Sequence, residues 1–74
     1  MRRQVYTVEY KLFSADKVKW INVIESNKAN AWDKAVYELI PEKEGQMPYS
    51  AWVASVTYQN GNYVRFNTFE GNPY

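Results

Sequence analysis

The sequence predicts a two-layer α+β domain in which one helix covers a four-stranded antiparallel sheet, with the elements in ββαββ order. Two alternating, β-prone segments come first, and a segment with helical periodicity follows them. Two further β-prone runs then flank an Asn-Gly pair near the C-terminus. A chain of 74 residues is near the size at which a single hydrophobic core gives only a few kcal/mol of net stability, so residues 1–74 are expected to form a single domain.

The first two strands are predicted at residues 4–13 and 18–25. In the first strand every second residue is apolar, which is typical of a strand with one buried face. That apolar face consists of Tyr6, Val8, Tyr10 and Leu12. The second strand alternates imperfectly, so the sequence leaves open which face holds Trp20. Residues 14–17 contain Ser and Asp, which favour a turn between the two strands.

A single amphipathic helix is predicted over residues 28–40. Ser26 or Asn27 can cap its first turn, because either side chain accepts hydrogen bonds from free backbone N–H groups. Apolar residues then recur at helical spacing and define one stripe. The stripe consists of Ala29, Trp32, Ala35, Val36, Leu39 and Ile40. Pro41 is expected to end the helix, and residues 42–50 are expected to form a surface loop.

The last two strands are predicted to form a hairpin around Asn60 and Gly61. Asn-Gly favours a two-residue type I′ turn, in which both central residues have positive φ. A two-residue turn also fixes which residues of the two strands pair. The predicted pairs are Gln59 with Asn62, Tyr58 with Tyr63, Val56 with Arg65, Ala54 with Asn67, and Trp52 with Phe69.

This pairing gives the hairpin two unlike faces. The aromatic face carries the candidate binding residues, which are Trp52, Tyr58, Tyr63, Arg65, Asn67 and Phe69. The opposite face carries the smaller Val53, Ser55, Thr57, Val64, Phe66 and Thr68. An unpaired Arg65 beneath the helix would be costly. We therefore expect the small-residue face to pack on the helix and the aromatic face to point outward.

The composition argues against catalysis and against metal binding. The chain contains neither cysteine nor histidine, which removes thiolate and imidazole ligands, disulfides and the commonest general base. The carboxylates are scattered, and Glu9 is expected to form a surface ion pair with Lys11 or Lys19. No glycine-rich phosphate loop is present. We therefore predict that the protein is not an enzyme and that it has no cofactor, no metal site and no small-molecule substrate.

The charge and hydropathy pattern bears on location. A net charge of +1 creates no global field that favours nucleic acid or an anionic membrane. The apolar runs are too short to span a membrane, and the N-terminus lacks the apolar core of a secretory signal. We therefore expect a cytoplasmic protein without membrane contact.

Two functions fit an exposed aromatic sheet face. The first is protein–protein contact, either self-association or binding of a different protein, because Trp, Tyr and Arg dominate interface energetics. The alternative is single-stranded nucleic-acid binding, in which bases stack on the same rings. The two differ in salt dependence, since phosphate contacts weaken steeply with added salt.

Two segments of the chain resemble known sequences. They are Tyr-Ser-Ala-Trp-Val-Ala-Ser-Val-Thr-Tyr-Gln-Asn-Gly at residues 49–61 and Phe-Asn-Thr-Phe-Glu-Gly-Asn-Pro-Tyr at residues 66–74. The chain from Tyr6 to Tyr74 resembles small uncharacterised proteins carried by phages and mobile elements of Gram-positive bacteria. The resemblance implies an accessory protein of the bacterial cytosol that modulates a host or element-encoded partner. It implies no activity, cofactor or catalytic residue, so no site residue is transferred from it.

Overall fold

A computed structural model describes residues 3–13 and 17–65 and contains one antiparallel sheet of four strands. The strands are β1 (Gln4–Lys11), β2 (Lys19–Glu25), β3 (Ser50–Thr57) and β4 (Tyr63–Arg65). Their order across the sheet is β2-β1-β3-β4, so the two central strands are β1 and β3. A helical segment between β2 and β3 packs on one face. The α+β class and the four-stranded antiparallel sheet are therefore confirmed.

The helical segment is continuous but has three parts. It consists of α1 (Lys28–Lys34), a π-helix (Ala35–Leu39) and α2 (Ile40–Glu44). The single α-helix assumed in the predicted ββαββ order is thus replaced by a composite one. Its predicted start is confirmed, because the Asn27 side chain accepts a hydrogen bond of 2.8 Å from the backbone N–H of Asn30.

Pro41 does not end the helix, so the prediction that the helix stops at residue 40 is wrong. The turn before the proline widens into the π-helix, in which the N–H of Ile40 donates to the carbonyl of Ala35. Pro41 then lies at the beginning of α2, where a missing N–H is tolerated. The helix ends instead at Gly45, whose φ is +76°. The connection to β3 consequently covers only residues 45–49 instead of residues 42–50.

The hydrophobic core lies between the helical segment and the sheet. The predicted apolar face of β1 is fully part of it. Its other members are Val23, Ala31, Ala35, Val36, Ile40, Ala51, Val53 and Val56. Trp32 is half-buried against this core, and its indole N–H donates to the Ala51 carbonyl at 2.8 Å. Ala29, which we assigned to the buried stripe, is exposed, because the helix turns the side with Ala31 and Ala35 to the sheet.

The β3–β4 hairpin has a three-residue loop, so the predicted two-residue type I′ turn is wrong. The Tyr58 N–H donates to the Asn62 carbonyl, and the Gly61 N–H donates to the Tyr58 carbonyl. Gly61 has the expected positive φ, +89°, but Asn60 does not. The Asn60 side chain instead accepts a hydrogen bond from the Asn62 N–H at 3.0 Å. This is the geometry of a type I turn followed by a left-handed glycine.

The longer loop shifts every hairpin pair by one residue. The observed pairs are Thr57 with Tyr63, Val56 with Val64, and Ser55 with Arg65. Residues 67 and 69, which the prediction placed opposite Ala54 and Trp52, lie outside the described residues. The predicted pairs Tyr58–Tyr63 and Val56–Arg65 are wrong because loop length sets the register.

A second irregularity lies between β1 and β3. Thr7 pairs with Ser55 while the next residue, Val8, pairs with Val53, so Ala54 is an extra residue in β3 and forms a β-bulge. The alternation of side chains therefore changes at Ala54. Val53 and Val56 both point to the helix, and Ser55 points away from it. The predictions that Ser55 and Thr57 face the helix and that Val56 faces outward are wrong for this reason.

Candidate functional site

The candidate site is the sheet face opposite the helix, which we call the outer face. Directly paired residues of neighbouring strands point to the same side, so the outer-face residues form rows across the strands. The first row is Trp20, Glu9 and Trp52. The second row is Asn22, Thr7, Ser55 and Arg65. The third row is Ile24, Val5, Thr57 and Tyr63.

The middle of this face is a shallow depression of about 320 Å³. Thr7 and Ser55, at the centre of the second row, have short side chains, and the longer side chains of the lining surround them. The lining of the depression consists of Thr7, Glu9, Trp20, Asn22, Ser55, Tyr63 and Arg65. Ser55 in the floor is 2% exposed, whereas Trp20 and Tyr63 at the rim are 59% and 57% exposed. The result is a polar floor with an aromatic rim.

Glu9 connects the first two rows. One of its carboxylate oxygens accepts a hydrogen bond of 2.9 Å from the Trp52 indole N–H, and the other lies 3.9 Å from an Arg65 nitrogen. Glu9 thus forms the ion pair that the sequence predicted, but with Arg65 and not with Lys11 or Lys19. Lys19 lies on the helix side of the sheet, where it contacts Glu44 at 3.2 Å.

The polar side chains of the face also order one another. The Thr7 hydroxyl donates to the Asn22 side-chain oxygen at 2.9 Å. Hydrogen bonds from Ser55 and then Arg65 lower the pKa of Tyr63. The hydrogen bond between Thr7 and Asn22 restricts both side chains before any partner arrives, which reduces the entropy that binding would otherwise cost.

Three of the predicted site residues lie together on the outer face. They are Trp52, Tyr63 and Arg65. Tyr58 does not join them, and its assignment to this face is wrong. Thr57 pairs with Val5 and with Tyr63 on the outer face, so the alternation of the strand turns the next residue, Tyr58, to the helix side. The other two predicted residues, Asn67 and Phe69, lie outside the described residues.

The sequence prediction missed two residues of the site, Trp20 and Glu9. Trp20 stands directly beside Glu9 in the β1–β2 register, and its ring is largely exposed. The alternation of β1 already placed Glu9 away from the apolar face, so the strand pairing with β2 was the missing information. Knowledge of that register would have assigned both residues to the outer face.

Two further features are absent from the described part of the chain. No cluster of three or more acidic side chains that could hold a metal ion occurs among residues 3–13 and 17–65. No helix in these residues has both the length and the apolar composition needed to cross a membrane.

Comparison with known proteins gives no assignment. No protein-family model, no curated protein and no solved structure matches this chain. The function is therefore inferred from the outer face itself.

Proposed function

We propose that this protein is a small non-enzymatic binding module that contacts a partner protein in the cytoplasm through its outer face. The observation that carries the proposal is the depression with an aromatic rim and a pre-ordered polar floor. No other part of residues 3–13 and 17–65 covers it, as the exposure of Trp20 and Tyr63 indicates. The accessory role implied by the resemblance to phage and mobile-element proteins is compatible with such a module and belongs to the same proposal.

The residue types of the face fit a protein partner. Trp, Tyr and Arg are the residues that most often contribute large binding energies at protein interfaces. The four strands contain 8, 7, 8 and 3 residues. At about 3.3 Å per residue and about 4.8 Å between strands, the sheet has a footprint of roughly 410 Å². Because side chains project from the sheet, the accessible surface area of the face exceeds this flat footprint. It approaches the roughly 800 Å² that each partner buries in an ordinary interface. A partner side chain that enters the depression would contact the rings of Trp20 and Tyr63 and the polar floor together.

Single-stranded nucleic acid is the second candidate, and the exposed rings favour it. Bases stack on such rings with little sequence preference. The charge of the face supports it less well, because the Glu9 carboxylate lies beside the guanidinium of Arg65. That carboxylate would repel a phosphate that approached Arg65. We therefore place the protein partner first.

The test compares Tyr63→Ala with Tyr37→Ala. Tyr37 is a matched control, because it is 62% exposed, close to the 57% of Tyr63, but lies on the helical segment. Tagged protein is used to capture partners from bacterial lysate with nuclease present, and each captured protein is quantified by mass spectrometry. We expect Tyr63→Ala to reduce capture of a specific partner roughly tenfold or more, as expected for an interface anchor. Tyr37→Ala should capture it like wild type.

Two results would contradict the proposal. Equal loss of capture in both variants would show that the outer face has no special role. Binding of a fluorescent single-stranded oligonucleotide that weakens steeply with salt and is lost in Tyr63→Ala would replace the protein partner with nucleic acid.

A further inference from the structure

Strand β2 forms one edge of the sheet. It pairs with β1 along its whole length, from Lys19 opposite Tyr10 to Glu25 opposite Gln4. Among the described residues no strand pairs with its other side. Seven residues at about 3.3 Å each give an edge of roughly 23 Å. Such an edge presents backbone N–H and C=O groups that can pair with a further strand.

Two copies of β2 would make favourable side-chain pairs if they ran antiparallel with Asn22 of one copy opposite Asn22 of the other. Lys19 then stands opposite Glu25 of a second strand, Trp20 opposite Ile24, and Ile21 opposite Val23. These are an opposite-charge pair, an aromatic pair with a β-branched residue, and a pair of β-branched residues. All three kinds stabilise antiparallel strands. Because each pair occurs twice around a twofold axis, six of the seven positions have a favourable partner.

Neighbouring registers lack this complementarity. If the twofold axis passed through Val23, Ile21 would face Glu25. If it passed through Ile21, Lys19 would face Val23 and Trp20 would face Asn22. Only the register centred on Asn22 matches charge with charge and apolar residue with apolar residue.

The surface beside this edge has space and charge that suit the same arrangement. A depression of about 590 Å³ lies along β2, lined by Val18, Lys19, Trp20, Ile21, Asn22 and Lys43. Its two lysines would receive Glu25 of a second copy, since Glu25 arrives opposite Lys19. Trp20 and Ile24, which are 59% and 58% exposed, would cover each other across the new strand pair.

We propose that β2 pairs in antiparallel fashion with β2 of a second copy of this chain, with the twofold axis at Asn22. The two four-stranded sheets then join into one sheet of eight strands. This inference goes beyond the partner-binding role. Trp20 and Asn22 also line the outer-face depression, so the second copy would border the partner site. Trp52, Tyr63 and Arg65 lie on the half of the outer face away from β2, so substitutions there test the partner site separately. The dimer also places two outer faces side by side, so a bivalent partner would bind with increased avidity.

The first test uses Asn22→Asp and sedimentation velocity over a range of protein concentrations. This isosteric change keeps the side-chain oxygen that accepts from Thr7. It places two carboxylates opposite each other at the twofold axis, where like charges destabilise strand pairing. We expect the wild-type protein to dimerise and the variant to dimerise roughly tenfold more weakly. The thermal midpoints should be equal at a protein concentration at which both are monomeric.

The second test uses the charge reversals Lys19→Glu and Glu25→Lys. Each variant alone opposes like charges at both ends of β2 and should be mainly monomeric. An equimolar mixture should dimerise again, because the heterodimer restores opposite charges at both ends. Glu42→Lys on α2 is the control for altered net charge and should dimerise like wild type. Thermal melts identify any loss of folding, since Lys19 and Glu25 also contact Glu44 and Lys34.

Three outcomes would overturn the inference. One is a wild-type protein that stays monomeric at several hundred micromolar. Another is a dimer that survives Asn22→Asp unchanged. The third is a dimer that is lost in Tyr63→Ala and kept in the β2 variants, which would move self-association to the outer face. Failure of partner capture in Tyr63→Ala alone concerns the proposed function and leaves the β2 dimer unaffected.

Discussion

Trp32 is the side chain that most directly ties the helical segment to the sheet. Its indole N–H donates to the Ala51 carbonyl at 2.8 Å, and its ring packs against the core and lies edge-on to Tyr37 at a centroid distance of 5.9 Å. Replacement of a core tryptophan by alanine costs about 3–5 kcal/mol. Because Trp32 is only half-buried, we expect a value near the lower limit, about 3 kcal/mol.

That loss is large for a chain of this length. At about 0.05–0.15 kcal/mol per residue, 74 residues correspond to a total of roughly 4–11 kcal/mol. Thermal unfolding followed by circular dichroism should therefore show Trp32→Ala melting roughly 12–24 °C below wild type, or unfolded at room temperature. Trp32→Phe separates the two contributions, since it keeps a ring and removes the donor. The lost hydrogen bond should cost about 0.5–1.5 kcal/mol.

Tyr63→Ala is the control for this measurement. Its ring is also large, but it is 57% exposed on the outer face, so its removal should leave the melting temperature close to that of wild type. A melting temperature as low as that of Trp32→Ala would refute the reasoning. It would mean that the outer face is buried in the folded protein, and the proposed binding surface would have to be abandoned.

Two further predictions concern the hairpin loop and the end of the helix. Gly61→Ala should lower the free energy of unfolding in urea melts by about 1–2 kcal/mol, because alanine disfavours the φ of +89°. The added Cβ would meet no atom within 4 Å, so the loss comes from the backbone alone. A variant as stable as wild type would contradict the described loop. Hydrogen bonding from Tyr10, and then contact with Lys19, holds the pKa of Glu44 below its ordinary value of 4.5. The ionised Glu44 therefore stabilises the protein above that value, and this stabilisation is lost as the pH falls through the lower pKa of the folded state. Glu44→Gln should flatten the fall of the melting temperature below pH 4.5, and equal slopes in both proteins would contradict this.

The parts of the fold that the sequence predicted correctly depend on local signals. The apolar alternation of β1 and the cap at Asn27 each involve residues close together in the chain, and both appear as expected. The continuation of the helix past Pro41 depends on distant residues. Glu44 accepts a hydrogen bond of 2.5 Å from Tyr10 of β1 and contacts Lys19 of β2. These contacts hold the last helical turn on the sheet. They cannot be predicted from the local sequence of residues 41–44.

The candidate site shows how two errors of register can cancel. The bulge at Ala54 advances the alternation of β3 by one residue, so Ser55 takes the outward direction that Val56 was expected to have. The three-residue loop then shifts β4 by one residue against β3, so Arg65 pairs with Ser55 instead of Val56. Each shift alone would have turned Tyr63 and Arg65 toward the helix. Together they return both residues to the face that carries Trp52.

This cancellation has a physical basis in the side chains themselves. Arg65 reaches Glu9 only from the outer face, and Glu9 is fixed there by the alternation of β1. The apolar pair of Val56 and Val64 correspondingly faces the helix side. A shift at the bulge without the matching shift at the loop would bury the guanidinium of Arg65 and expose Val64 further, and both changes are unfavourable. The bulge at Ala54 and the three-residue loop that starts five residues later therefore depend on each other. Arg65 stays outside the core when both are present and would be buried with either one alone.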